Sequence, residues 1–209
     1  MLNQTQIRQA MRHLRASDPI MRDLIRRAGP FTLKLRRNRF QSLVYSILSQ
    51  QISGKAAFAI RTRLEQHIAP EKISPERIAR LTVEELRSTG ISNQKSTYLL
   101  DLANRVIGGE LRLDRMARMP DDKVIEALIP VKGIGVWTAQ MFLIFSLGRL
   151  DVFPHDDLGV RMAIRKLYDL DDLPDKETSH RIATAWRPYA SVATWYCWRS
   201  LDLDKPKPR

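Results

Sequence analysis

A chain of 209 residues that is 44% hydrophobic has material for one sizeable core or two small lobes. Its 35 Lys and Arg outnumber 23 Asp and Glu, a formal net charge of +12 that favours a polyanionic partner, either nucleic acid or an acidic membrane surface. No apolar run approaches the ~20 residues that span a bilayer, which excludes a membrane-spanning helix, and the single cysteine, Cys197, excludes an internal disulfide and suits a reducing, intracellular location.

The opening stretch MLNQTQIRQAMRHLR has the spacing of an amphipathic helix rather than the pattern of a secretion signal. Asp18-Pro19 opens a second helix, and Phe31 to Leu35 is the one short candidate strand. A stronger helix carries Phe40, Leu43, Val44, Ile47 and Leu48 at helical spacing, and Ser53 can cap the helix after it. Further starts are marked by Ser74-Pro75, by Thr82 with Glu85 as a capping box, and by Ser92, whose helix stops at Gly108-Gly109. Later come a helix to about Gly148, one from Asp156, one ending near Pro188, and a last one from Ser191 carrying Trp195 and Trp198. The tail, 202–209, reads as flexible. An all-α protein of about ten short helices, one domain over 1–209, is the expected product.

Between two of these helices lies LIPVKGIGVWTA, residues 128–139. Gly133 and Gly135 flank Ile134 in a tight turn, where glycine permits positive φ and lets a foreign backbone approach closely. Unpaired N–H groups at the start of the next helix then face outward, a favourable place for an anion such as phosphate. An ordinary helix-helix connection is the other reading of so short a motif. One helix further on, DVFPHDDLGVR places the doublet Asp156-Asp157.

These segments together resemble the helix-hairpin-helix, Gly/Pro-Asp superfamily of DNA base-excision glycosylases, and within it the bacterial 3-methyladenine DNA glycosylase II branch. The resemblance runs from about Phe40 to Leu201 and is carried by LSQQISGKAA at 48–57, the hairpin, DVFPHDDLGVR at 151–161 and WRPYASVATWYCW at 186–198. It implies a two-lobed helical fold without the N-terminal β-rich domain of longer relatives. It also implies a monomer that is cytoplasmic and nucleoid-associated, acts on double-stranded DNA containing alkylated bases, and needs no cofactor.

The resemblance also assigns residues. In the bifunctional branch, endonuclease III and its relatives, a lysine nucleophile stands two residues after the hairpin's last glycine. Here that residue is Trp137, and with Cys197 alone the four-cysteine iron-sulfur loop of many such enzymes cannot form. The implied reaction is therefore monofunctional: water takes the sugar carbon and an abasic site remains. Positive charge develops on the deoxyribose, and a carboxylate about 4 Å away is worth roughly 4 kcal/mol at an effective dielectric of 20. That corresponds to roughly a thousandfold in rate.

The family's carboxylate matches Asp157, with Asp156 expected to cap the following helix, although spacing alone does not separate the two. Trp137 and Trp198 match the pocket tryptophans that would stack on a cationic alkylated base, while Trp186 and Trp195 are read as core. Gln51 matches the plug that fills the space of an extruded base. Ser53, Lys132, Gly133, Gly135 and Thr138 complete the implied DNA contacts. Backbone carbonyls of Ile129, Val131 and Ile134 would hold a structural Na+ or K+.

Three positions depart from or extend the pattern. Lys132 replaces a common proline, Ala190 stands where relatives commonly have arginine, and His155 precedes the doublet as a loop residue expected to face solvent. Two other functions stay open on sequence alone: a non-catalytic helix-hairpin-helix module for damaged DNA, and a glycosylase with lyase activity from another lysine.

Overall fold

A computed structural model describes residues 3–203, which form twelve α-helices and, among these residues, no strand. They fall into two compact units, one made of residues 36–142, the other of 3–35 with 143–203. The part of the tail at 204–209 lies outside the described residues. Residues 202 and 203, read from sequence as flexible, belong to the last helix.

The unit of residues 36–142 holds α3 (Arg39–Ser49), α4 (Gly54–Ile68), α5 (Pro75–Ala79), α6 (Val83–Ser88), α7 (Asn93–Ile107), α8 (Asp121–Leu128) and α9 (Val136–Phe142). Local chemistry sets most of the starts. Ser53 accepts from Ala56 N–H at 3.2 Å, and Ser74 accepts from Arg77 N–H at 3.1 Å with Pro75 behind it. Thr82 and Glu85 exchange their two bonds as a capping box, at 3.1 and 2.7 Å. Buried Leu43, Val44, Ile47, Leu48, Leu64, Leu99 and Leu102 fill the core. Each such side chain contributes about 2 kcal/mol of transfer free energy.

The other unit holds α1 (Gln4–Ser17), α2 (Pro19–Ala28), α10 (Leu158–Leu167), α11 (Lys176–Ala183) and α12 (Ala190–Leu203). Its core gathers Leu14, Met21, Leu24, Ile25, Trp186 and Tyr196. Asp18 is a buried staple there. One carboxylate oxygen accepts from Ile20 and Met21 N–H at 2.9 and 3.0 Å, capping α2, and the other accepts from Trp186 Nε1 at 3.0 Å and from the Tyr168 hydroxyl. A buried carboxylate so fully hydrogen-bonded is stable in place.

Several expected boundaries differ. Residues 31–35 form no strand, because no second strand exists among the described residues to satisfy their backbone groups. The helix expected to reach Gly148 is α-helical only to Phe142 and continues as a wider π-turn over Leu143–Leu147. The Arg149 N–H closes that segment on the Leu143 carbonyl at 3.0 Å, with Gly148 at φ +69°. Twelve helices are found where about ten were expected.

Candidate functional site

The hairpin joins α8 to α9. Val131 N–H bonds the Leu128 carbonyl at 3.1 Å, Ile134 N–H bonds that of Val131 at 3.0 Å, and Ala139 N–H bonds that of Gly135 at 3.0 Å, starting α9. Gly133 has φ +79°, and a Cβ added to it would lie 2.1 Å from the Tyr98 ring; both facts require glycine. Gly135 is different: its added Cβ meets nothing within 4 Å and its φ is not positive. The space beside Gly135 is open for a foreign backbone.

Two polar side chains hold this backbone, and a third holds the loop after α3. Asp101 accepts the Lys132 N–H at 2.9 Å and is itself paired with Arg105 at 3.0 Å. Gln50 Nε2 donates to the Gly133 carbonyl at 2.8 Å and approaches the Thr138 hydroxyl at 3.4 Å. Lys95 Nζ donates to the carbonyls of Leu48 and Gln50, at 2.9 and 2.7 Å. Burial of this ammonium lowers its pKa. These bonds fix the loop after α3, where exposed Gln51 takes φ +58°. A non-glycine residue held there costs on the order of 1 to 3 kcal/mol, which persists only when surroundings over-determine the conformation.

The remaining hairpin residues expected from sequence divide by exposure. Lys132, Gly135 and Trp137 are exposed, and so is Ser53, whose hydroxyl caps α4. Thr138 is buried with its hydroxyl toward Gln50, so any DNA contact it made would use its backbone N–H. The Val131 carbonyl already accepts the Ile134 N–H, leaving a second lone pair for a cation. With Ile129 and Ile134 the donors are neutral hard oxygens, a set that fits a hard cation such as Na+ or K+. Among the described residues no cluster of His, Cys, Asp and Glu is placed to hold a metal ion.

In the unit of residues 3–35 and 143–203, the roles expected for the two aspartates are redistributed. Asp157, not Asp156, caps α10: its Oδ1 accepts Val160 N–H at 2.8 Å. Trp198 Nε1 donates to the same oxygen at 2.9 Å, and Asp157 is only 8% exposed. A turn closed by Asp157 N–H on the Pro154 carbonyl, at 3.0 Å, turns Asp157 inward and leaves Asp156 exposed. His155 is half-buried rather than solvent-facing, 3.3 Å from the Asp156 carboxylate and with its ring centre 5.0 Å from that of His180. Desolvation first, then the nearby His155, Lys176 and Arg187, lowers the His180 pKa, with Asp156 opposing.

Trp198 is half-buried, and Phe145 stacks on one of its faces with ring centres 5.5 Å apart and planes 17° from parallel. Gly159 makes room for this arrangement, since a Cβ there would lie 3.1 Å from Asp157 Oδ1 and 3.2 Å from the Trp198 ring. Of the other tryptophans, Trp186 is fully buried, and half-buried Trp195 packs edge-on against Phe31. Beside Ala190, Arg187 pairs with Asp151 at 2.9 Å, and the other Asp151 oxygen accepts the Ala190 N–H at 3.2 Å.

Gln50, Lys95, Tyr98, Asp101, Phe145 and Gly159 were not singled out by sequence. Two carried a signal. Lysine in the first turn of α7 opposes the helix dipole, and glycine inside the first turn of α10 forfeits helix propensity.

A glycine hairpin held by side-chain polar contacts and a recessed carboxylate one helix later are the parts of a DNA base-excision protein. The chain belongs to the HhH-GPD superfamily of base excision DNA repair proteins, whose family model matches residues 44–188. It is 33% identical to the DNA-3-methyladenine glycosylase 1 of Schizosaccharomyces pombe, over 98% of this chain and 92% of that protein. The Bacillus subtilis protein named "Putative DNA-3-methyladenine glycosylase YfjP" is 32% identical over 78% of this chain, which spans 59% of that longer relative. A solved structure of the S. pombe 3-methyladenine DNA glycosylase Mag1 in complex with abasic DNA covers 96% of this chain and 100% of its own, with a TM-score of 0.86 and 31% identity.

Proposed function

We propose that this protein is a monofunctional DNA glycosylase that hydrolyses the N-glycosidic bond of alkylated purines, chiefly 3-methyladenine and 7-methylguanine, and leaves an abasic site. The observation that carries this reading is the Asp157 carboxylate, recessed and oriented by Trp198 Nε1 and Val160 N–H. The bond electrons leave with the base, water oxygen bonds to the sugar carbon, and the proton that water loses passes to solvent. Asp157 stabilises the cationic sugar between these events. Trp137, in the position where relatives with lyase activity carry lysine, supports water rather than an amine as nucleophile.

In this reading Gly133, Gly135, Lys132 and the backbone of Thr138 grip phosphate, with Ile129, Val131 and Ile134 carbonyls holding Na+ or K+ to stiffen the turn. Gln51, with Ser53 beside it, enters the stack when a base is extruded. Trp137 and Trp198 are the tryptophans assigned to that base, and a positively charged lesion gains from stacking on an indole face. The partner is double-stranded DNA carrying alkylated bases, met by a monomer.

The test is incubation with methylated duplex, chromatography of the released bases, and a strand-nicking assay without alkali. Release of 3-methyladenine and 7-methylguanine without nicking is expected. Binding without release would leave a damage-recognition module, and nicking without alkali would mean a lyase.

A further inference from the structure

A concavity of about 850 Å³ lies in the unit of residues 3–35 and 143–203, and neither Asp157 nor Trp198 lines it. α1 and α2 supply most of its lining. Its floor is apolar: Ile7, Met11, Ile25 and Phe31. Arg8, Arg12, Arg15, Arg22 and Arg26 also line it, against one carboxylate, Asp23, which pairs with Arg26 at 3.4 Å. Among the described residues no ion pair reaches Arg8, Arg12, Arg15 or Arg22, and all four are exposed.

The spacing is regular. Arg8, Arg12 and Arg15 stand at i, i+4 and i+7 of α1 and therefore on one face, over roughly 10 Å of helix. Arg22 and Arg26 stand at i and i+4 of α2.

We propose that this groove docks an acidic, amphipathic segment of a partner protein. Two features must be satisfied together. The floor gains only from a ligand with apolar side chains to remove it from water, as when the apolar face of a helix enters a groove. Clustered guanidinium groups repel one another until carboxylates neutralise them, and each can take a carboxylate through two parallel bonds. A duplex backbone meets the second requirement and not the first, because phosphodiesters offer nothing to an isoleucine, methionine and phenylalanine floor. An acidic helix with Leu or Phe on one face meets both.

The test uses the full chain and three fluorescent probes, read by anisotropy near 0.15 M salt, where diffuse charge attraction is screened beyond about 8 Å. One is a peptide of about 16 residues with Leu and Phe at i, i+3, i+4 and i+7 and Glu elsewhere. The second is a scrambled peptide of the same composition, and the third an undamaged duplex. The patterned peptide should bind at least about tenfold more tightly than the scrambled one. Both R8E/R12E and M11E should abolish that difference while duplex affinity and base release stay within about twofold. Thermal melts guard against misfolding, and exposed Arg8 and Arg12 leave the core intact if Met11 does not tolerate charge. Equal binding of the two peptides, no binding of either, or a preference that survives both variants would overturn the proposal. A parallel loss of duplex affinity in R8E/R12E would reassign the groove to DNA.

Discussion

The two units spend the polar groups of their candidate sites on different objects. In the unit of residues 36–142, Lys95, Gln50 and Asp101 all end on backbone: the carbonyls of Leu48, Gln50 and Gly133 and the N–H of Lys132. In the other unit, Trp198 Nε1 and Val160 N–H end on a carboxylate. A surface that meets any DNA sequence reads backbone with backbone, so its side chains serve to shape main chain. A group that must stabilise charge at one atom has to be a side chain, itself held by donors. Binding and chemistry should therefore fail separately when either set is disturbed.

The largest effect is expected at Asp157. Asp157→Asn keeps the cap, since asparagine serves that role as well, and keeps an oxygen for Trp198. It removes the charge, so single-turnover base release should fall by about a thousandfold with lesion binding nearly unchanged. Exposed Asp156, which is not the cap, should tolerate the same change with stability and rate both preserved. A dead Asp156→Asn enzyme beside an active Asp157→Asn would reverse the assignment.

The hairpin glycines sharpen the contrast from the binding side. Gly133→Ala meets both positive φ and the Tyr98 ring, so it should cost on the order of 3 kcal/mol and lower the melting temperature together with DNA affinity. Gly135→Ala meets open space and should leave the melt unchanged. Any affinity it loses, about tenfold on damaged and undamaged duplex alike, reports the approach of phosphate backbone. Normal binding by Gly135→Ala would move the phosphate contact elsewhere.

Lys95 comes next. Lys95→Met keeps the aliphatic stem and deletes both bonds to carbonyls, releasing the loop that holds Gln51 at φ +58°. Base release from duplex should drop about tenfold, and far less from single strands, where no stack must be opened. Gln51→Ala should give the same substrate pattern. Lys95→Arg, which can still donate, should recover part of the rate. Equal deficits on both substrates would mean that the loop does not act in extrusion.

What sequence revealed follows from range. Caps at Asp18, Ser53, Ser74, Thr82 and Ser92 depend on groups within a few residues, and all five are found. Gly133, whose positive φ the turn requires, was legible for the same reason, whereas Gly135 has no positive φ. The division of labour between Asp156 and Asp157 was not, because the turn from Pro154 decides which carboxylate faces inward, and both are good caps. Lys95 and Gln50 act on partners 45 and 83 residues away, and no local pattern encodes such contacts. The π-turn at Leu143–Leu147 likewise has an ordinary helical sequence.

The smallest predicted effect concerns pH and the unit that carries Asp157. His180 is edge-on to Phe153 and faces His155, with Lys176 and Arg187 adding positive charge and only Asp156 opposing. Desolvation first, and these charges after it, hold its pKa in the folded protein below the ordinary value of 6.5. Below pH 6.5 the unfolded chain binds a proton at this residue that the folded chain resists, so acid favours unfolding. The stability should be intact above pH 6.5 and decline as the pH falls from there toward the lowered folded pKa. His180→Gln removes the titrating group while retaining a polar side chain of similar reach. Urea midpoints measured at pH 7.5 and 5.5 should then differ less in His180→Gln than in the parent, after the shared contribution of the carboxylates is subtracted. An unchanged difference would show that His180 accepts its proton as readily folded as unfolded.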